Sequence, residues 1–344
     1  MAEGGGSGRA ASERGHADVT VIVVAYQSAR VLPRCLDALA AQTVRPARIL
    51  VVDNASTDGS AAVARARGAD VIEAGNNLGF AAANNQAARA ARTEWLALLN
   101  PDAYPEPRWL EELLEAAARW PGAALGSTQR DAADPARLDG VGDAYFFAGI
   151  PFRAGFGRIR PVPAEGEVFG PCAAAALWPR EAFLALGGFE ERFFCYGEDV
   201  DLAYRHRLRG GRCVQVPAAV VAHEGSGITG RRSDFTTYHG HRNRVWTYLR
   251  DTPPGLLALS FPLHLALSAY LAGRLAIAGQ LRAYLRAQRD AWRGAAPFLA
   301  ERRALHASAR PVARALTYSP LALLRRAPKV WNTRAPLGDP PPGP

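Results

Sequence analysis

Residues 19–25 read Val-Thr-Val-Ile-Val-Val-Ala, and this run decides the fold class. Six of its seven residues are β-branched, and no polar face alternates with the apolar one. Such a run predicts a strand covered on both sides, as in a parallel sheet sandwiched between helices. Working outward, Leu32, Leu36 and Leu39 recur at helical spacing, and residues 49–52 form a second buried run that stops at Asp53. A short strand is expected at 71–74, an Ala-rich helix at 80–91, and a fourth strand at 95–99 that stops at Asn100-Pro101-Asp102. Strands alternating with helices predict an α/β fold with a mainly parallel sheet. Polar residues gather where the strands end, the edge at which open α/β sheets bind ligands.

Residues 128–170 are rich in Gly and Pro and yield no assignable element. A helix is expected at 180–186, a loop at 187–197, a helix at 198–208, short strands at 214–216 and 220–222, and a basic, aromatic helix at 233–250. Residues 256–272 are strongly apolar but shorter than the roughly 20 residues a membrane span needs, and they contain Pro262 and His264 before Arg274 stops them. The preferred reading is a helix lying in a membrane interface; a helix packed on the catalytic domain and a true span are the alternatives. Beyond it Arg282, Arg286, Arg289 and Arg293 form a basic helical stripe. The expected organisation is a disordered tail (1–17), a catalytic domain (18–250), a helical, membrane-associated extension (251–335) and a Pro/Gly-rich tail (336–344).

The 344 residues are 49% hydrophobic, enough to bury a core. The net charge of +9 is carried by arginine, with Lys329 the single lysine. That charge suits a solvated helical surface, anionic lipid or a phosphorylated substrate. No nucleic-acid-binding module accompanies it, so nucleic acid is not an expected partner. Cys35, Cys172, Cys195 and Cys213 show no C-x-x-C spacing, and the N-terminal stretch lacks the apolar segment of a signal peptide. The cysteines are therefore expected to be reduced, in a cytoplasmic protein.

Six segments carry candidate chemistry. In 51–60, VVDNASTDGS, Asp53 could accept from the N–H of a base with Asn54 in support; equally, Asp53, Ser56 and Asp58 could shape a turn and cap the next helix. In 76–85, NNLGFAAANN, Gly79 would allow close backbone approach to a ligand. In 98–103, LLNPDA, Asp102 could bind a hard cation that neutralises a diphosphate leaving group, or cap a helix. In 187–202, GGFEERFFCYGEDVDL, a carboxylate among Glu190, Glu191, Glu198 and Asp199 could take a proton from a sugar hydroxyl, or serve the dipole of the next helix. His223 ends an apolar run before a Gly/Ser loop, and Arg242 or Arg244 could grip a phosphate.

Taken in this order and spacing, the segments from about Val19 to Trp246 resemble family 2 glycosyltransferases of the GT-A fold, in their rhamnosyltransferase-like branch. The resemblance implies a Rossmann-like, mainly parallel sheet flanked by helices, with a C-terminal helical extension. It implies an inverting enzyme that moves a sugar from a nucleotide-diphosphate sugar, dTDP-rhamnose before a UDP-sugar, to a cell-wall or surface glycan, lipid-linked in one version. Asp199 would be the general base with Glu198 beside it. Asp53, Asn54, Asn77, Gly79, Asn100 and Arg242 would serve the donor, and Asp102 and His223 would hold Mg²⁺ or Mn²⁺. The lipid-linked acceptor places the protein in the cytoplasm, peripheral to the inner membrane face. Three positions depart from the pattern: Asn100 stands where the metal motif has an acid, Ala25-Tyr26-Gln27 lacks a frequent Asn, and Glu190 replaces a common Asp. Two rivals remain. A nucleotidyltransferase would carry an early Gly-rich basic loop, which residues 25–34 lack. A non-catalytic nucleotide-sugar-binding scaffold would not need the acidic residues.

Overall fold

The computed structural model describes residues 16–225, 233–307 and 309–333. The strands among them are β1 His16–Ala25, β2 Arg45–Asp53, β3 Asp70–Glu73, β4 Trp95–Leu99, β5 Ala103–Pro105, β6 Ala124–Asp131, β7 Leu138–Gly140, β8 Asp143–Phe146, β9 Ile150–Arg153, β10 Gly166–Glu167, β11 Ala175–Pro179 and β12 Cys213–His223. The helices are α1 Leu32–Ala40, α2 Ser60–Ala66, α3 Gly79–Ala90, α4 Trp109–Arg119, α5 Arg180–Ala185, α6 Glu198–Leu208, α7 Asp234–Asp251, α8 Pro254–Ile277, α9 Leu281–Arg293, α10 Ala295–His306 and α11 Pro320–Arg325.

The main sheet runs β10-β12-β6-β11-β4-β1-β2-β3. β1, β2, β3 and β4 are mutually parallel, β12 is parallel to β6, and β11 is antiparallel between β4 and β6. The opening run is covered on both sides as its composition demands. Val19, Val21, Val23 and Ala25 pack with α1 and α4, while Ile22 and Val24 pack with the alanines of α3 and with Trp178, Phe183 and Phe189. This alternation is the period of two of a strand, here with both faces buried.

Several expectations change. His16 and Ala17 belong to β1 rather than to a tail; residues 1–15 and 336–344 lie outside the described residues. The strands expected at 214–216 and 220–222 are one strand, β12, with a register shift between Val216 and Val220. Pro217 sits in that shift, where its missing N–H costs no ladder bond. Residues 128–170 contain the end of β6 and the short strands β7 to β10.

Residue 250 is not a clean boundary. Phe193, Val245, Trp246 and Leu249 share an apolar cluster with Ala291, Ala295 and Phe298. Farther on, Phe147 N–H donates to Thr317 O at 3.0 Å, and Trp331 exchanges backbone bonds with Glu167 at 2.8 and 3.0 Å. The 251–333 region therefore folds onto the sheet domain and completes its core. Within it, the apolar run grows into the 24-residue α8, about 36 Å long. Among the described residues it is the one helix long and apolar enough to cross a membrane. Leu256, Leu257 and Phe261 pack against the protein's apolar clusters, and a polar stripe adds hydrogen bonds. Ser260 Oγ lies 2.8 Å from Tyr248 Oη, His264 Nδ1 2.9 Å from Ala148 O, and Ser268 Oγ accepts from Arg244 at 2.9 Å. These residues recur every fourth position and form one docked stripe. Other apolar residues face out: Leu259 is 76% and Ile277 92% exposed.

Candidate functional site

The carboxyl ends of β1, β2 and β4 open into a cavity of about 800 Å³, which extends past β12 to Arg326. At the β2 end, Asn54 Oδ1 accepts the Leu78 N–H at 2.8 Å and its Nδ2 donates to Asn77 Oδ1 at 2.9 Å. Asn77 Oδ1 also accepts the Gly79 N–H at 3.0 Å. These two asparagines pin the loop before α3 against the strand end, and both line the cavity. The neighbouring Asp53 is buried, and its Oδ1 has no hydrogen-bond partner in the protein. A buried carboxylate oxygen in that state calls for a donor, and Asp53 lies behind Asn54 rather than among the residues lining the cavity. Asp58 shapes the turn, accepting from Ala29 N–H at 2.8 Å and Ser60 N–H at 3.1 Å.

Gly79 has φ +81°, and a Cβ there would lie 2.5 Å from the side chain and carbonyl of Phe194. Its close approach is to the aromatic loop of this chain, and it also lines the cavity. Phe194 and Tyr196 themselves have φ of 66° and 71°, a strained region for bulky residues. Asn243 braces them, its Nδ2 lying 3.0, 2.9 and 2.8 Å from the carbonyls of Phe193, Cys195 and Tyr196. Arg242 joins in: its Nη2 donates to Phe193 O at 3.0 Å and its guanidinium lies 4.4 Å from the Trp246 ring. Arg242, expected at the donor phosphate, thus turns inward to hold the loop and does not line the cavity. Arg244 is buried against α8.

At the end of β4, Asn100, Asp102 and His223 come together. β5 pairs with β12, placing His223 opposite Ala103. Asp102 Oδ1 lies 3.3 Å and Asn100 Nδ2 3.4 Å from His223 Nε2. His223 Nδ1 is 2.7 Å from Asp139 Oδ2, which also accepts from Arg153 at 2.5 Å. A carboxylate only accepts, so Nδ1 donates and the Nε2 lone pair faces Asp102. The Asn100 amide can donate to that lone pair, and a cation held jointly by Nε2 and Oδ1 would relieve the two facing acceptors. Without one, His223 takes the proton: burial opposes its charge, but hydrogen bonds to Asp102 and Asp139 raise its pKa. Burial likewise works against Asp102 ionisation, yet the His223 hydrogen bond and charge hold its pKa below the usual value. The carboxylate suits Mg²⁺ or Mn²⁺, while the imidazole nitrogen favours the softer Mn²⁺ of the two, and a histidine ligand oriented by a carboxylate is the usual outer shell of a metal site.

Across the cavity, α6 begins at the carboxylates. Asp199 Oδ2 accepts from Ala173 N–H at 3.2 Å and Oδ1 from Val200 N–H at 2.8 Å. Glu198 is buried with Oε2 unpartnered, and burial followed by the Asp199 charge lifts its pKa well above the usual value. Asp143 behaves in the same way for the same two causes. Asp143, Cys172 and Asp199 lie close enough together to be considered as metal ligands. Burial pushes the Cys172 thiol up to about 12, however. Burial also works against the charge of the half-buried Arg153 guanidinium, yet neighbouring Cys172, Asp139, Asp143 and Asp199 raise its pKa on balance. With a cation already present, that trio suits a divalent ion less well than Asp102 and His223 do. Asp139, Asp143, Cys172 and Arg153 were not anticipated from the sequence. The signal was the pair of acids in Asp139-Gly140-Val141-Gly142-Asp143, inside the unassigned stretch.

Comparison with known proteins agrees with this geometry. The profile described as glycosyl transferase family 2 matches residues 20–183. N-acetylglucosaminyl-diphospho-decaprenol L-rhamnosyltransferase of Mycobacterium tuberculosis (strain ATCC 25618 / H37Rv) is 33% identical over 261 residues, covering 68% of this chain and 85% of the relative. Among solved structures, S. aureus TarS 1–349 in complex with UDP-GlcNAc superposes with a TM-score of 0.54 at 16% identity, covering 84% of this chain and 88% of that one. GalNAc-T7 with UDP, GalNAc and Mn²⁺ superposes with a TM-score of 0.55 at 16% identity, covering 69% and 48%. The structures share the fold and the relative shares the sequence along most of its length: the chain belongs to glycosyl transferase family 2, and it is a glycosyltransferase.

Proposed function

We propose that the protein is an inverting rhamnosyltransferase that carries rhamnose from dTDP-rhamnose to a hydroxyl of a lipid-linked glycan at the inner membrane face. The observation that carries the reading is the pairing of Asp102 Oδ1 with His223 Nε2 at 3.3 Å, opposite a carboxylate-lined wall of the same cavity. The choice of sugar and acceptor follows the name of the mycobacterial relative. Asp53 receives the base N–H on its unpartnered oxygen, while Asn54 and Asn77 keep the adjoining loop in place. Asp102 and His223 hold Mg²⁺ or Mn²⁺, with Asn100 beside them. When bound, that ion supplies the positive charge that offsets the leaving diphosphate. Asp199 takes the proton of the acceptor hydroxyl as its oxygen bonds to C1. The C1–O bond to the diphosphate breaks on the opposite side, and the anomeric configuration inverts. Glu198 and Asp143, whose pKa values burial raises, stand beside Asp199 in the same wall. Positioning of donor and acceptor in line contributes much of the acceleration. The membrane part of the reading rests on α8, which docks a polar stripe and Leu256, Leu257 and Phe261 while Leu259, Leu263, Leu265 and Ile277 stay exposed.

The test uses the full chain in mild detergent with a GlcNAc-diphospho-lipid acceptor, Mn²⁺ and a panel of dTDP- and UDP-sugars, with released nucleoside diphosphate measured. The expected result is dTDP release that EDTA abolishes. Asp199→Asn should bind dTDP as the parent does while turnover falls about 100-fold or more. Release of UDP alone would replace the donor, and an Asp199→Asn variant within threefold of the parent would remove the base.

A further inference from the structure

The cavity has a second, cationic end. Donor-side residues Asn54 and Asn77 sit at the end of β2, and β2 is separated from β6 by three intervening strands. At about 4.8 Å per strand the two ends lie roughly 19 Å apart. On the far side, Leu138 of β7 bridges to Arg158, and the cavity wall is made by Phe152, Arg153, Phe156 and Arg326. Arg326 comes from the C-terminal region. It is the left-handed cap of α11, with φ 49°, and its carbonyl is fixed by the Gly155 N–H at 2.8 Å. Its guanidinium lies 4.7 Å from the Phe156 ring, and that of Arg153 lies 5.9 Å from the same ring.

Arg153 is committed to Asp139. Arg326 and Arg158 form no ion pair among the described residues. Arg326 is half-buried, and burial together with the charges of Arg158 and Arg153 lowers its pKa. Arg153 is offset by Asp139, Asp143 and Asp199, which leaves Arg326 on the cavity wall and the nearby Arg158 to meet an anion, and Arg binds phosphate oxygens in a forked, two-point geometry. Exposed apolar residues neighbour both arginines in sequence: Ile159, beside Arg158, is 66% exposed, and Leu324, two positions before Arg326, 68%. A ligand with phosphate next to a hydrocarbon chain would satisfy both features.

We propose that Arg326 and Arg158 form a phosphate-binding subsite that grips the diphosphate of the lipid-linked acceptor, so that the C-terminal region takes part in acceptor selection. This rests on the acceptor class given above. With the donor end saturated by dTDP, binding of citronellyl diphosphate to the full chain is measured by calorimetry, alongside sedimentation with phosphatidylglycerol vesicles. Arg326→Gln and Arg158→Gln should each weaken citronellyl diphosphate binding about tenfold or more, and Arg326→Lys should weaken it less. Vesicle sedimentation, dTDP affinity and thermal midpoint should stay at the parental values. In transfer assays, KM for a GlcNAc-diphospho acceptor should rise, while KM for a phosphate-free octyl GlcNAc acceptor stays unchanged. Failure of the parent to bind the probe, or equal binding by the variants, overturns the subsite. Loss of vesicle sedimentation with unchanged probe binding also overturns it and assigns the arginines to phospholipid headgroups. Arginine-dependent probe binding without any transfer to diphospho acceptors keeps the subsite and removes the acceptor assignment instead.

Discussion

Asp139 does its work through another residue. It lines the cavity and pairs with Arg153, and by accepting from His223 Nδ1 at 2.7 Å it turns Nε2 toward Asp102. Replacing it by Asn removes the charge that fixes this tautomer, and outer-shell losses of this kind cost roughly 10–100-fold in metal affinity. Asp139→Asn should therefore weaken Mn²⁺-dependent dTDP binding by that factor while leaving metal-free dTDP binding alone. Titration calorimetry with and without Mn²⁺ reads both, and equal Mn²⁺ affinity in the two proteins would contradict the role. The sequence shows why such a residue hides. Asp102 and His223 announce themselves at the ends of apolar runs, whereas Asp139 lies in a Gly-rich stretch. It reaches His223, 84 positions away, only through the pairing of β7 and β12 with β6. Arg242 shows the converse: an arginine near aromatic residues reads as a phosphate ligand until the backbone carbonyls of the strained loop are seen to occupy it.

At the scale of elements, Trp95–Leu99 and Glu198–Leu208 are legible to the residue. One is an apolar run closed by Pro, the other an acidic start closed by basic residues, and both signals are local. Strands of two to four residues, such as β7 to β10, have no room for a period and exist only through their partners. The same limit hides the role of α6 in holding the molecule together. Asp201, fully buried, accepts from Arg205 Nη2 at 2.6 Å and also pairs with Arg250 of α7, whose Nη1 reaches Glu190 at 2.7 Å and Glu301 of α10 at 3.0 Å. Its sequence neighbour Asp199 lines the cavity instead. Asp201→Ala would leave two arginines in the interior short of a partner, a loss of about 3–5 kcal/mol by analogy with other broken buried pairs. Urea unfolding should show the midpoint falling with dTDP affinity retained in the folded fraction. A stability within 1 kcal/mol (roughly a fivefold change in the unfolding constant) would refute the structural role.

The whole molecule presents α8 in a way unlike a soluble bundle, because the helix faces the protein with Ser260, His264 and Ser268 and, near its start, Leu256, Leu257 and Phe261, yet faces outward with Leu259, Leu263, Leu265, Tyr270 and Ile277. Its polar contacts with α7 and with the β8–β9 turn keep it alongside the sheet domain, which fits a helix lying in an interface better than one crossing it. The full chain should sediment with phosphatidylglycerol vesicles. Serine at Leu259, Leu265 and Ile277 should shift most of it to the supernatant, while the circular dichroism spectrum and dTDP binding remain parental. Unchanged sedimentation of the triple variant would separate α8 from the membrane. An enzyme moored by this helix would find its acceptor by lateral diffusion in two dimensions. Its rate would then follow the mole fraction of acceptor in the bilayer rather than its molarity, so diluting the vesicles with neutral lipid would slow turnover even with every reactant concentration in the tube held constant.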